Sequence, residues 1–384
     1  MRQIVNCLIF RTLIAQVINR YPSAVISGGS YLVASIALIN SVLMVRKYGL
    51  EERGGFAIDL LFVSMVGGVC AAYYEGARPG QNFSAVNRLF LVLIATLVFF
   101  GVGKVFNSFS GYFGFYVFAL VLQVYIAFYI VDLLYVSVLI VSFVKCFQAL
   151  LLLIFNFLNV ANFFGIDQFI GELFFNFVAA NFCTLWLVLV VGFVFGYARG
   201  APNKIHAKSV GLMFMTRPVF TGADKFVLST LLDEAALGAY VTISNVIGIG
   251  SPVVNAVVQL SYHGVIKRIN FKKFLTGLVA SLMSGVLLVP VLDYLFYEET
   301  LSSYYYLSLL GAGVLFCLQL IKYIENNRSK RSRMWGYLAA KSIFLLIVFF
   351  FPFRSSLLYL ILVVIFIAFL ILVNIYADCC KQKT

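Results

Sequence analysis

A chain of 384 residues that is 62% hydrophobic and 11% charged, with a mean hydropathy of +1.01, is not a soluble domain, where roughly a quarter of residues are charged. The formal net charge of +13 asks for anionic partners. Its basic residues stand between apolar runs and not in one solvated patch, which argues against nucleic acid and for lipid headgroups and an anionic substrate.

In chain order, Met1 to Tyr21 places Ile4, Val5, Leu8, Ile9, Leu13, Ile14, Val17 and Ile18 at helical spacing, interrupted by Arg2, Arg11 and Arg20. Residues 1–22 therefore read as an amphipathic helix lying on the inner leaflet. A cleaved signal peptide is the competing reading, but Arg11 would break its apolar region and no small-x-small site follows.

Segments of roughly 17 to 25 apolar residues predict twelve membrane helices. They lie at about residues 24–45, 55–74, 87–106, 110–131, 139–162, 175–197, 209–231, 238–261, 273–296, 302–323, 335–353 and 356–377. Every connection is short. Of the 28 Lys and Arg, five (Arg46, Lys47, Arg53, Lys104 and Arg354) fall on one side, and four (Lys145, Arg217, Lys225 and Lys341) fall within helices. The other nineteen, Arg78, Arg88, Lys322 and Arg328 among them, fall on the side of the termini. The positive-inside rule then puts both termini in the cytoplasm.

An offset of 184 residues pairs Gly54-Gly55-Phe56 with Gly238-Ala239-Tyr240, and Asn40 with Asp224, each flanked by apolar helices. That predicts an all-α polytopic fold of two parallel six-helix halves, residues 23–200 and 201–384, around a central cavity.

The seventh segment is the informative one. Gly211 to Tyr240 reads GLMFMTRPVFTGADKFVLSTLLDEAALGAY and carries Arg217, Asp224 and Lys225 where hydrocarbon is expected. Charges there are costly, so a functional site is the default hypothesis. The seven-residue spacing of Arg217 and Asp224 puts both on one face, with Lys225 about 100° round the helix. Lys145 and Lys341 are further intramembrane cations. Each of these residues either faces a polar cavity or makes a structural ion pair, and Asp224 suits pairing better than proton uptake.

Other marks are plainer. Asn156, Asn159 and Asn162 share a helix face, suited to interhelical hydrogen bonds or to a glycan-facing strip. Pro218, Pro252 and Pro290 predict kinks, and Gly248 to Pro252 a close approach or local unwinding. Seven cysteines without CxxC spacing read as packing residues, although Cys379-Cys380 would suit acylation. His206 and His263 fall in loops, and no Ser/His/Asp set, phosphate loop or metal-ligand pair appears, so no enzyme and no cofactor is expected.

The run Ala223 to Tyr240, ADKFVLSTLLDEAALGAY, with an Asp in the helix, an apolar run and then Leu-Gly-x-Tyr opening the next helix, resembles a family signature. It is similar to the seventh-helix pattern of the Wzx-like polysaccharide flippases of the multidrug/oligosaccharidyl-lipid/polysaccharide (MOP) exporter superfamily. Leu38 to Phe56, with Tyr48-Gly49 and Gly54-Gly55-Phe56, resembles that family's N-terminal pattern. The chain is somewhat short for the family.

The resemblance implies a MATE-like architecture in the bacterial inner membrane. It also implies translocation of an undecaprenyl-pyrophosphate-linked oligosaccharide to the periplasmic leaflet, with H+ or Na+ as a coupling ion and a polysaccharide polymerase as a partner. Unpaired sugar hydroxyls in hydrocarbon would cost roughly 2–7 kcal/mol each, so the glycan needs a hydrated path, and fixed cations suit its pyrophosphate. Two alternatives stand beside this: a membrane glycan polymerase or ligase, and a drug or cation antiporter of the same superfamily. The first usually carries a long periplasmic loop and the second favours acidic residues in its cavity.

Overall fold

The computed structural model describes residues 22–78, 83–106, 113–134, 138–166, 169–196, 207–251, 271–328 and 341–348, with shorter runs at 254, 355, 358–359, 361–366 and 369. The expected N-terminal amphipathic helix, both histidines, Pro252 and Cys379-Cys380 lie outside the described residues.

Within them the regular structure is helical. The elements are α1 (Pro22–Ala77), α2 (Ala85–Phe106), α3 (Phe113–Leu134), α4 (Val138–Leu158), α5 (Phe169–Phe195), α6 (Ala207–Ser229), α7 (Glu234–Ile247), α8 (Phe271–Leu292) and α9 (Leu307–Arg328). Six described stretches are long and apolar enough to cross a membrane: Gly28–Ala77, Gly114–Leu133, Leu139–Leu158, Gly171–Phe195, Phe271–Tyr297 and Leu307–Ile324. Hydrocarbon offers the backbone no hydrogen bonds, and a helix satisfies them internally. Exposed Leu89, Phe90, Leu93 and Leu97 on α2, and Met283, Leu287 and Val291 on α8, suit contact with lipid. This is an all-α, multi-pass membrane protein.

Helix α1 runs for 56 residues, which would be about 84 Å if straight, against a hydrocarbon core of about 30 Å. Gly49 interrupts it at φ 86°, ψ 176°, a conformation open essentially to glycine alone. The arm before Gly49 runs with α4, since Gly29 packs on Ser142 and Asn156 Nδ2 donates to Asn40 Oδ1 at 2.9 Å. The arm after it runs with α3, where Tyr116 donates to Asp59 and Tyr74 to Asp132, each at 2.9 Å.

Helix α5 lies antiparallel to α4, through Gln148–Asn181 and Asn156–Asn176 bonds. It runs parallel to α3, with Tyr116 against Phe174 and Leu133 beside Val188. The two arms of α1 are therefore antiparallel, and the expected spans at 24–45 and 55–74 are its two arms, joined with almost no loop.

Helix α6 lies antiparallel against the second arm, with Gly211 on Tyr73, Pro218 on Gly68 and Gly222 on Leu61 and Met65. It carries four charged residues, Lys208, Arg217, Asp224 and Lys225, and is not among the six apolar stretches. Asp233 caps α7 by accepting from Ala236 N at 2.7 Å, and Glu234 follows in its first turn, both favoured at a helix N-terminus. The expected helix at 238–261 thus begins earlier, and it tightens into a 3-10 turn at Gly248–Gly250. There Gly250 packs on Ser281, and Gly285 packs on the Ile247 backbone. Of the close approach or unwinding expected of this glycine-rich stretch, the close approach is present, and the helix tightens there instead of unwinding.

The apolar core falls into separate clusters. One is built wholly from residues 44–178, including Val63, Tyr74, Tyr116, Phe128 and Phe174. A second draws on residues from Met213 onward and takes only Val45, Ala57 and Ala72 from α1. The second arm of α1 therefore packs into both and lies between them.

Polar ties fix the helix ends. Asp132, fully buried, takes Arg78 Nε at 2.6 Å and Arg88 Nη2 at 2.7 Å. The Arg88 contact is a close ion pair without hydrogen-bond alignment, since Asp132 Oδ2 has no hydrogen-bond donor among the described residues. At the opposite end Glu172 accepts from Tyr48 at 2.8 Å and has Lys47 at 3.8 Å, while Arg46 donates to the Phe296 carbonyl at 2.6 Å. Nearby, Asp293 takes the Leu301 amide and the Tyr305 phenol at 3.0 and 2.8 Å. Burial, followed by the Asp293 carboxylate, pushes the Tyr305 phenol up to about 12, so it stays a donor.

Candidate functional site: a basic cavity between the two cores

A cavity of about 720 Å³ lies where the second arm of α1 meets α3, α4, α6, α7 and α9. On α1 its wall is Arg53, Ala57, Leu60, Leu61, Ser64, Gly68, Ala71, Ala72 and Glu75, a stripe at steps of three and four that makes one helix face. The 22 residue steps from Arg53 to Glu75 rise about 33 Å, comparable with the hydrocarbon core. On α6 the wall is Arg217, Pro218, Thr221, Gly222 and Lys225.

The charge in this wall is lopsided. Arg53, Lys145, Arg217, Lys225 and Lys322 line it, and Glu75 is its one carboxylate among the lining residues. Glu75 acts electrostatically on Lys145. Arg217 stands over the Phe214 ring with its Cζ 3.2 Å from the centroid, a cation–π contact. Cations with low-dielectric walls around them attract and hold an anion more strongly than they would in water.

Of the five residues the sequence singled out, the structure brings three together, Lys145, Arg217 and Lys225. Asp224 is elsewhere. It is buried, accepts from Tyr240 of α7 at 2.7 Å and has Lys225 Nζ at 3.7 Å. Helical angle alone groups Asp224 with Arg217, but the short carboxylate is held by α7 while the longer lysine reaches the wall.

Lys341 is also elsewhere. It is fully buried, 4.8 Å from the centroid of Phe220, which stacks with Phe344 and Phe366. The three asparagines do not share a helix face, because α4 ends at Leu158, Asn159 is left-handed at φ 54° and Asn162 lies in the 3-10 turn that follows; Asn156 is used for packing, bonded to Asn40 and Asn176.

Arg53, Glu75 and Lys322 were missed because each sits at the end of an apolar segment and reads as loop. The i+3/i+4 recurrence of small and polar residues from Arg53 to Glu75 was the available signal. No protein family, no curated protein and no solved structure matches the chain. The site is read from its geometry alone.

Proposed function

We propose that this chain is a flippase for a lipid-linked oligosaccharide. In this reading twelve spans form two parallel six-helix halves, and alternating access moves an undecaprenyl-pyrophosphate-linked repeat unit from the cytoplasmic to the periplasmic leaflet of the bacterial inner membrane. The observation that carries it is the cavity wall: five cations against one carboxylate, spread along about a bilayer's thickness of helix. A pyrophosphate headgroup needs cations, its glycan needs water, and its polyprenyl tail needs lipid.

The same charge balance speaks against an antiporter for cationic drugs, whose ligand would be repelled. It does not by itself separate a flippase from a polymerase or ligase acting on the same lipid-linked substrate. The site of accumulation does. Depletion of the protein in its native host strands pyrophosphate-linked repeat units on the cytoplasmic leaflet, read by a membrane-impermeant glycan probe on oriented vesicles. Repeat units that reach the periplasm and stay unpolymerised would overturn the flippase reading.

A further inference from the structure

Arg53 differs from the other cations of the wall in position and in surroundings. It lies at the end of the lining stripe, about 33 Å along α1 from Glu75, and the next residue, Gly54, is in backbone contact with Gly238 of α7. The cavity stops there. Arg217 is level with Gly68 through the Pro218 contact, some 15 residues or about 22 Å below Arg53. Lys225 is about two turns further up, past the contact of Gly222 with Leu61 and Met65. The cations thus form a ladder whose last rung is Arg53.

Among the described residues Arg53 has no hydrogen-bond or ion-pair partner. Its Nε is buried and unmatched, and the phenol of Tyr297 is its electrostatic neighbour. A guanidinium at a membrane end ordinarily reaches for headgroups or water. This one is turned into the cavity, where an unpaired cation is unfavourable until an anion meets it.

We infer that Arg53 is a second anion-binding station, at the sealed end of the cavity, which receives the pyrophosphate after Arg217 and holds it beside the contact that must part for release. This rests on the flippase reading and adds to it an order of occupation: entry near Lys145 and Lys322, transit past Arg217 and Lys225, arrival at Arg53. The chemistry required is a di-anionic phosphate group, carried on a polyprenyl lipid or free.

The test is a positional footprint on purified protein in lipid nanodiscs. Single cysteines are placed at Ala57, one turn from Arg53, and at Ala71, near Glu75, and labelled with a small methanethiosulfonate with and without inorganic pyrophosphate. Pyrophosphate is expected to slow labelling at least threefold at both positions. Arg53→Gln then abolishes the slowing at position 57 and leaves it at 71, and Arg53→Lys restores part of it, which separates loss of the charge from loss of the fold. Slowing at 71 without slowing at 57, or slowing at 57 that survives Arg53→Gln, overturns the second station while the flippase reading stands. No slowing at either position overturns both. Repeating the titration with geranylgeranyl pyrophosphate names the source: protection at tenfold lower concentration than inorganic pyrophosphate assigns the station to a lipid headgroup, and equal concentrations assign it to the free anion.

Discussion

Gly54 and Gly238 occupy each other's side-chain space. A Cβ on Gly54 would strike the Glu234 carbonyl and stand 3.1 Å from the Gly238 nitrogen, and a Cβ on Gly238 would strike the Leu50 carbonyl and stand 3.1 Å from the Gly54 nitrogen. Leu50 and Glu234, like Gly54 and Gly238, are 184 residues apart, so the contact is reciprocal between positions at one constant offset. Backbone cannot yield as a side chain can, so Gly238→Val should disfavour this closed contact by about 1–3 kcal/mol. The measurement is labelling of a cysteine at Ala57 by a membrane-impermeant thiol reagent applied from the periplasmic side. Labelling should rise in Gly238→Val, and an unchanged rate in a normally abundant variant would place the seal elsewhere.

Arg217→Glu reverses the charge midway along the cavity wall. Losing a charge-assisted bond to phosphate removes about 1.5–3 kcal/mol, so transport should fall tenfold or more while the amount of protein in the membrane stays the same. Quantifying exported glycan against protein by immunoblot makes the comparison, and undiminished export would take Arg217 out of the site.

The Arg78–Asp132–Arg88 set, with Arg78 and Asp132 buried and Arg88 partly so, binds the ends of α1, α2 and α3, at 2.6 and 2.7 Å. Asp132→Ala leaves two guanidinium groups without their carboxylate, which costs about 3–5 kcal/mol and should appear as low abundance and early melting in detergent. Replacing all three with apolar residues of similar size should recover much of that loss, because the desolvation cost disappears with the charges. A triple variant no better than Asp132→Ala alone would show that the set does more than tie helices.

The helical class, the membrane setting and three of the cavity cations were legible in the sequence because each depends on local pattern: apolar runs of bilayer length, and charges inside them. The 184-residue offset pairs Gly54 with Gly238 in the sequence, but correspondence under an offset does not say that the two residues touch. Arg53 and Lys322 escaped for a different reason. Counting basic residues at span ends as loop discards any that turn back along the helix, and a side chain's direction is set by packing that no hydropathy window contains. The partners of Asp132 lie 54 and 44 residues away in sequence, at Arg78 and Arg88, so nothing local announces that pairing. Gly49 is legible only in hindsight. The sequence asks for a connection between two spans, and the positive φ of one glycine supplies it.

Asp224 is the carboxylate that a coupling-ion mechanism would choose, and its surroundings argue for another role. It is tied to Tyr240 on the neighbouring helix and approached by Lys225, and its wall-lining neighbours are Thr221 and Lys225. A carboxylate so placed joins α6 to α7 and holds one end of the Lys225 side chain at the cavity wall. Tyr240→Phe removes the donor and leaves the carboxylate without it, at a cost of about 1–3 kcal/mol. Asp224→Asn keeps a polar partner for Tyr240 and weakens the hold on Lys225. Both variants should melt earlier than the parent, and both should retain the parent's dependence of transport on external pH and on Na+. Transport by Asp224→Asn that no longer responds to either ion, in protein of normal abundance, would make Asp224 a coupling site and end its assignment as a tie between helices.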